Sequence, residues 1–300
     1  MPQEPNSAPP ALRLEGEPNL DIQFPPLPRT VAEVSMMLAT KQDVPDTPRL
    51  VDVVNVDPVI ATAVLRRINS AFYGLRRSIG NLRQAVFLLG FEEVCNIVLT
   101  SAMMKLKDVL TTNEQLNIFD RLVRASMGAA YYAQELAMFL DLPQQNTAFA
   151  AGLLHNVGRL VFLYNVPHEY EALWYSSRTG RPPGLHDEAR IFGLDHGVLG
   201  GRAGEEWNLP LEIISVIRHY SIPHLAPEEY DKSFARLISV AASASVQICM
   251  HADSGTGSWQ FAPPPALNAL RQEVDVTPGT LVDFVETHYH RALSYIHAMS

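Results

Sequence analysis

Imidazole is the side chain best suited to metal and proton chemistry near neutral pH, and the ten histidines of this 300-residue chain all lie at or after His155. Three stand in informative surroundings: His155 in L-L-H-N-V-G-R, His196 in F-G-L-D-H-G-V-L-G and His219 in I-R-H-Y. Imidazoles bind transition metals, and a metal-bound water is acidified toward neutrality, which would supply a nucleophile for phosphate esters. Such a centre also needs carboxylates to hold the metal and orient its water. Beside His155 stands Asn156, whose amide oxygen is neutral. Asp195 adjoins His196, but consecutive helical residues point about 100° apart, so one metal need not see both. The competing reading of His155, His196 and His219 is structural, as imidazoles hydrogen-bonded inside a helical core.

A second group of residues suited to chemistry lies earlier. Residues 58–91 hold Arg66, Arg67, Arg76, Arg77 and Arg83 and no acidic residue, in a chain of 23 basic and 32 acidic residues with a net charge of −9. Converging guanidiniums would hold a phosphate, a cyclic nucleotide or an acidic protein surface by bidentate hydrogen bonds. The plainer alternative is that each pairs with a carboxylate of a neighbouring helix or faces water. Within the same stretch, Asn69 and Ser70 precede a turn containing Gly74, and their side chains are suited to fixing that turn by bonding local backbone. Phe72 and Tyr73 are either exposed anchors or a buried aromatic clamp.

The elements that must position these residues read as helices. Hydrophobic residues make up 47% of the chain and the mean hydropathy is near zero, as in ordinary globular proteins. The net acidity disfavours nucleic acid as a partner, since that affinity rests on phosphate neutralisation. Cys95 and Cys249 sit inside apolar helical patterns and read as buried thiols of a reducing, cytoplasmic compartment. No run approaches 18 uninterrupted apolar residues and no export signal is evident, so no membrane is expected as a partner. Residues 1–28 carry eight of the 22 prolines, which suggests an extended or disordered lead-in over 1–22.

Helical spacing predicts a capped start at Thr30 with Glu33, running to about Lys41. Thr47-Pro48 and Asp57-Pro58 predict two further starts, with proline at the first helical position. Asn81 to Gly90, Phe91 to about Lys107, Asn113 to Phe139 and Thr147 to Val166 follow, the last so apolar that it belongs at the centre of a core. Further helices are expected at about 168–179, 185–192, 196–206, 210–219, 230–250 and 278–298. Strand alternation is scarce and no repeat of fixed period is visible. The final helix, with Leu281, Phe284, Val285, Leu293 and Ile296 on one side, must bury that side on the main body or on a second copy, which would make a homodimer.

L-L-H-N-V-G-R, then E-A-R-I-F-G-L-D-H-G-V-L-G, then E-W-N-L-P-L-E-I-I-S-V-I-R-H-Y resembles an HDOD domain in order and spacing. L-R-R-I-N-S-A-F-Y-G at 65–74 and I-G-N-L-R-Q-A-V-F-L-L-G at 79–90 are similar to that family's upstream asparagine-serine motif and leucine-glycine helix end. The resemblance implies an all-α fold, with an N-terminal bundle (23–110) packed on an HD-type core (111–250), followed by a linker and C-terminal helix (251–300). It also implies that His155, Asn156, Asp195, His196 and His219 are the remnant of a phosphohydrolase centre. The paired His-Asp reads His155-Asn156, the upstream histidine has no counterpart, the late aspartate falls near Ala241-Ala242, and the family's common His-His reads His219-Tyr220. The expected function is non-catalytic bacterial signalling or regulation through other signalling proteins, with no metal, no cofactor and no catalytic residue. The rival expectations are a metal-dependent phosphohydrolase with a remodelled site and a receptor for a small anionic messenger through the arginines.

Overall fold

Side-chain caps set the clearest helix starts, because a carboxylate, amide or hydroxyl can take the orphan N–H groups of a first turn. The computed structural model describes residues 22–40, 45–176, 181–255 and 259–299, and among the described residues there are helices and turns but no strand. The fold is all-α. The first bundle contains α1 (Arg29–Ala39), α2 (Thr47–Asn55), α3 (Pro58–Ile68), α4 (Leu82–Leu89) and α5 (Phe91–Met104). The central part contains α6 (Asn113–Phe139), α7 (Gln145–Leu154), α8 (Val157–Asn165), α9 (Pro167–Ser176), α10 (Leu185–Phe192), α11 (His196–Glu206), α12 (Leu211–His219) and α13 (Lys232–Ser254). The last three are α14 (Pro265–Glu273), α15 (Pro278–Thr287) and α16 (Tyr289–Met299).

Asp57 accepts from the Val59 and Ile60 N–H groups ahead of Pro58, and Asn81 accepts from Gln84, as their types predict. Two expected caps differ. Asp46, not Thr47, caps α2 by accepting from Arg49, which moves Pro48 to the second helical position. Thr30 is buried inside α1, which starts at Arg29 directly after Pro28, and a residue already in helical conformation cannot cap its own helix. The expected end near Lys41 and, apart from Ile22, the expected lead-in over 1–22 lie outside the described residues. Residues 22–28 run extended against the core: Gln23 exchanges two hydrogen bonds with the Asn165 side chain, and the Trp207 indole donates to the Pro25 carbonyl.

The largest correction falls on the expected helix at 147–166. It breaks at His155 and Asn156 into α7 and α8, which pack along α6 and α11 respectively. One straight helix could not lie against both partners. Glycine permits each approach: a Cβ on Gly152 would sit 2.7 Å from the Ala129 carbonyl oxygen, and one on Gly158 would run into the His196 carbonyl. The expected helix at 278–298 likewise splits at His288 into α15 and α16, and α14 occupies a stretch where none was expected. The helix expected to reach Lys107 ends at Met104 and tightens into a 3₁₀ turn over Lys105–Val109.

α6, α7 and α13 form the centre of one apolar core that runs from Val31 to Met299. α16 packs on α6 of the same chain, burying Tyr295, Ile296 and Met299, and the Tyr132 hydroxyl donates to the Val285 carbonyl at 3.1 Å. Of the described helices, only α13 is long and apolar enough to cross a membrane, and 61% of its most apolar window is buried inside the fold, as a core helix requires. Cys95 and Cys249 are both buried and unpaired.

Candidate functional site

The break between α7 and α8 places His155, Asn156 and Arg159 at the floor of a cleft of about 420 Å³. The first residue of α11, His196, and the residue following α12, Tyr220, line the same floor, while Ser221, Ser239, Ala242, Ser243 and Gln247 form part of the walls. Interruption of an otherwise continuous helix is thus what brings the motif residues together.

Beneath the floor lies Glu188, with no exposed surface. Its Oε2 accepts from the His196 backbone N–H at 2.9 Å and from His196 Nδ1 at 2.5 Å. Its Oε1 accepts from the Tyr170 hydroxyl at 3.4 Å and lies 3.5 Å from Arg159 Nε. Arg159 also donates from Nη1 to the Tyr220 hydroxyl and to Asn156 Oδ1, both at 2.6 Å, and from Nη2 to the Pro183 carbonyl at 3.0 Å. With His196 neutral, a chain of donors joins the ends, since guanidinium can only donate and carboxylate can only accept; the Tyr220 hydroxyl also lies 3.4 Å from Asn156 Oδ1, and His196 Nε2 lies 3.3 Å from Ser221 Oγ. Arg159 donates to Tyr220, Tyr220 donates to His196 Nε2 at 2.9 Å, and His196 Nδ1–H donates to Glu188. In this order the neutral imidazole carries its proton on Nδ1.

The electrostatics agree with that order. Burial opposes ionisation of Glu188, but the Arg159 guanidinium and the hydrogen bonds from His196 outweigh it, leaving the carboxyl below its ordinary range. Arg159 stays cationic despite its burial because phenolic oxygens and Glu188 surround it. His196 is held below the usual imidazole range by burial and by the neighbouring guanidinium, more than Glu188 raises it. His155 is pushed down to about 3, chiefly by burial. Its Nδ1 lies 2.6 Å from the Gly152 carbonyl and must carry the proton there, so Nε2 keeps its lone pair. The ring meets Tyr220 edge to face with centroids 4.8 Å apart.

Of the five residues of the expected remnant, the structure brings His155, Asn156 and His196 together and leaves Asp195 and His219 outside the floor. Asp195 caps α11 by accepting from Val198 and takes no part in the floor. His219 is half-buried with Nδ1 on the Ser215 carbonyl, and its pKa is lowered by burial; it does not line the cleft. Glu188, Arg159 and Tyr220 complete the floor instead. The signal for Glu188 was present: Leu185, Glu188, Ala189 and Phe192 have the i, i+3, i+4, i+7 spacing of a buried stripe, and a carboxylate on such a stripe requires a buried partner.

The early motif has a separate geometry. The Asn69 side chain donates to the Leu65 and Ile79 carbonyls at 2.8 and 2.9 Å and accepts from the Ile79 N–H at 2.7 Å, clasping the end of α3 to the approach to α4. The Ser70 hydroxyl is buried without a hydrogen-bond partner among the described residues. Phe72 is partly exposed and meets Tyr73 and Tyr295 edge to face, while the Tyr73 hydroxyl donates to Glu93 at 2.7 Å. Of the five arginines only Arg67 turns inward, donating to Ser101 Oγ at 3.2 Å and to the Met299 carbonyl. Arg66, Arg76, Arg77 and Arg83 are exposed.

The donors on the floor do not fit a divalent-metal centre. Both oxygens of its one carboxylate are occupied, and Asn156 is neutral and spent on Arg159. Among the described residues no group of three or more His, Cys, Asp or Glu converges.

A family model described as the HDOD domain matches residues 24–223, ending before α13. An uncharacterized protein of Treponema pallidum (strain Nichols) is 27% identical over 204 residues, 66% of this chain, which spans only 37% of that relative's length. A crystal structure of an HDOD domain protein of unknown function from Geobacter sulfurreducens aligns with a TM-score of 0.73 at 19% identity, covering 94% of each chain. A protein of Marinobacter aquaeolei VT8, provisionally named a signal transduction protein, aligns at 0.67 and 22% identity, covering 94% of this chain and 62% of that one. One of Shewanella amazonensis SB2B, provisionally named a phosphohydrolase, aligns at 0.62 and 20% identity, covering 92% and 95%. At these identities the solved structures share the fold.

Proposed function

The chain belongs to the HDOD-domain family, and we propose that it works as a non-catalytic signalling or regulatory protein that acts by binding other proteins. The observation that supports this reading is that the buried charges of the cleft floor balance one another. Arg159 supplies the buried positive charge that a metal would supply in a hydrolase, and Glu188 is the anion that balances it. With donors and acceptors matched from Arg159 through Tyr220 and His196 to Glu188, no carboxylate is left to activate a water. The buried free thiols fit the reducing cytoplasm expected for such a protein. A ligand in the cleft would act by favouring one arrangement of the two halves over another.

The rival reading is a metal-dependent phosphohydrolase built on the lone pair of His155 Nε2. The test is hydrolysis of a panel of phosphomonoesters and cyclic and linear phosphodiesters by the full chain, with manganese, iron, nickel or zinc added. The expected result is no turnover above that of His155→Ala. Metal-dependent turnover abolished in both His155→Ala and His196→Ala would overturn the reading.

A further inference from the structure

We propose that the outward face of α4, with the clasped turn before it, is a docking surface for an acidic protein segment that carries a large apolar anchor. This deepens the recognition reading and rests on it only for the premise that the chain acts by binding. The Asn69 clasp brings residues 69 and 79 together, so Arg66, Arg76, Arg77 and Arg83 all lie within four residues of one point. All four are exposed, and none is in an ion pair among the described residues. Arg67, turned inward, is not part of this face.

The outward side of α4, which carries Arg83, also carries apolar groups that the fold leaves in water. Phe87 is 87% exposed and Leu88 51%. On α4, Arg83 and Phe87, and Gln84 and Leu88, are i, i+4 pairs, so the cationic start of the helix continues into an apolar end about 6 Å further along its axis. An exposed aromatic beside guanidiniums is the composition of a recognition anchor. The complementary ligand has carboxylates and, about one helical turn away, a large apolar side chain.

Charge also selects the kind of partner. Residues 58–91 carry five of the 23 basic residues and none of the 32 acidic ones. Exposed acids stand on adjoining elements: Asp52 on α2, which packs against α4, and Glu92 just beyond the end of α4. A planar anionic bilayer or a long nucleic acid would meet those carboxylates and the acidic remainder of the chain, whereas a short acidic segment covers the basic face alone.

The test is selection of displayed random 16-residue peptides on the full chain, followed by anisotropy titration of the enriched peptides. The expected peptides are net acidic with a large apolar residue. Their affinity should fall tenfold or more for the double variant Arg76→Glu/Arg83→Glu and for Phe87→Ser, fall with added salt, and be unchanged in His155→Ala. Every substituted patch position is exposed, and thermal melts check that folding is intact. Enrichment of peptides that are not acidic, unchanged binding to the patch variants, no enrichment at all, or tighter binding to phosphatidylcholine/phosphatidylserine vesicles than to any peptide would overturn the proposal. Binding lost only in His155→Ala would overturn it while leaving the recognition reading with the cleft.

Discussion

Two regions of this molecule are built from similar polar residues and treat them oppositely. At the cleft floor, Arg159, Glu188, His196 and Tyr220 are withdrawn from water and spend their hydrogen bonds on one another. Around the Asn69 clasp, Arg66, Arg76, Arg77 and Arg83 are left in water beside Phe87 and Leu88. A buried ionic group removed from its partner is costly, whereas an exposed one hardly affects stability. The contrast therefore teaches where each region contributes: the floor to the integrity of the fold, the arginine face to contact with partners.

The sharpest way to break that contrast is Glu188→Ala, which leaves the Arg159 guanidinium buried without its anion. The expected loss is about 3–5 kcal/mol in urea unfolding; a loss under about 1 kcal/mol would mean that the floor is wet and adaptable. Acid should reveal the same seal. The buried histidines stay neutral in the folded chain while the unfolded chain protonates them near pH 6.5, so the unfolded state binds more protons and stability falls as pH drops. For His155 that loss begins near pH 6.5 and levels off near its folded value of about 3, at up to about 1.4 kcal/mol per pH unit. Glu188, with its lowered folded value, adds stability above the ordinary carboxylate range that is lost as pH falls through that folded value. His155→Gln should flatten the slope of unfolding free energy between pH 6 and 4 by about one proton.

Smaller effects belong to the other region. Asn69→Ala removes three hydrogen bonds from the clasp and should cost about 1–3 kcal/mol, leaving the buried Ile79 N–H unsatisfied. Arg76→Glu/Arg83→Glu should change unfolding free energy by no more than about 0.5 kcal/mol per site. A larger destabilisation would show that these guanidiniums are structural, and would remove the distinction between the two regions.

The contrast also explains what the sequence could convey. Helices with periodic stripes and local end signals, such as Asn113–Phe139 with its Thr112 cap and Leu185–Phe192 closed by Gly193, are legible in the sequence because those signals are local. The break at His155 was not, since nothing local forbids a helix through L-L-H-N-V-G-R; it arises because α7 and α8 have different partners. Asn156 and His196 were visible as motif residues. A helix-capping aspartate such as Asp195 and a ligand look alike in sequence, and the stripe of α10 marks Glu188 as needing a buried partner without saying that Arg159, 29 positions away, is one. The basic character of residues 58–91 could be read directly, but only the structure separates the inward Arg67 from the four outward arginines.

The central claim, that Arg159 already fills the cationic role at the cleft floor, is tested most directly by elemental mass spectrometry of the purified, untagged chain. It would be measured after dialysis and again after exposure to manganese, iron, nickel or zinc. The account predicts well under one equivalent of any metal and no change on His155→Ala. Near-stoichiometric metal that is lost on His155→Ala would contradict it.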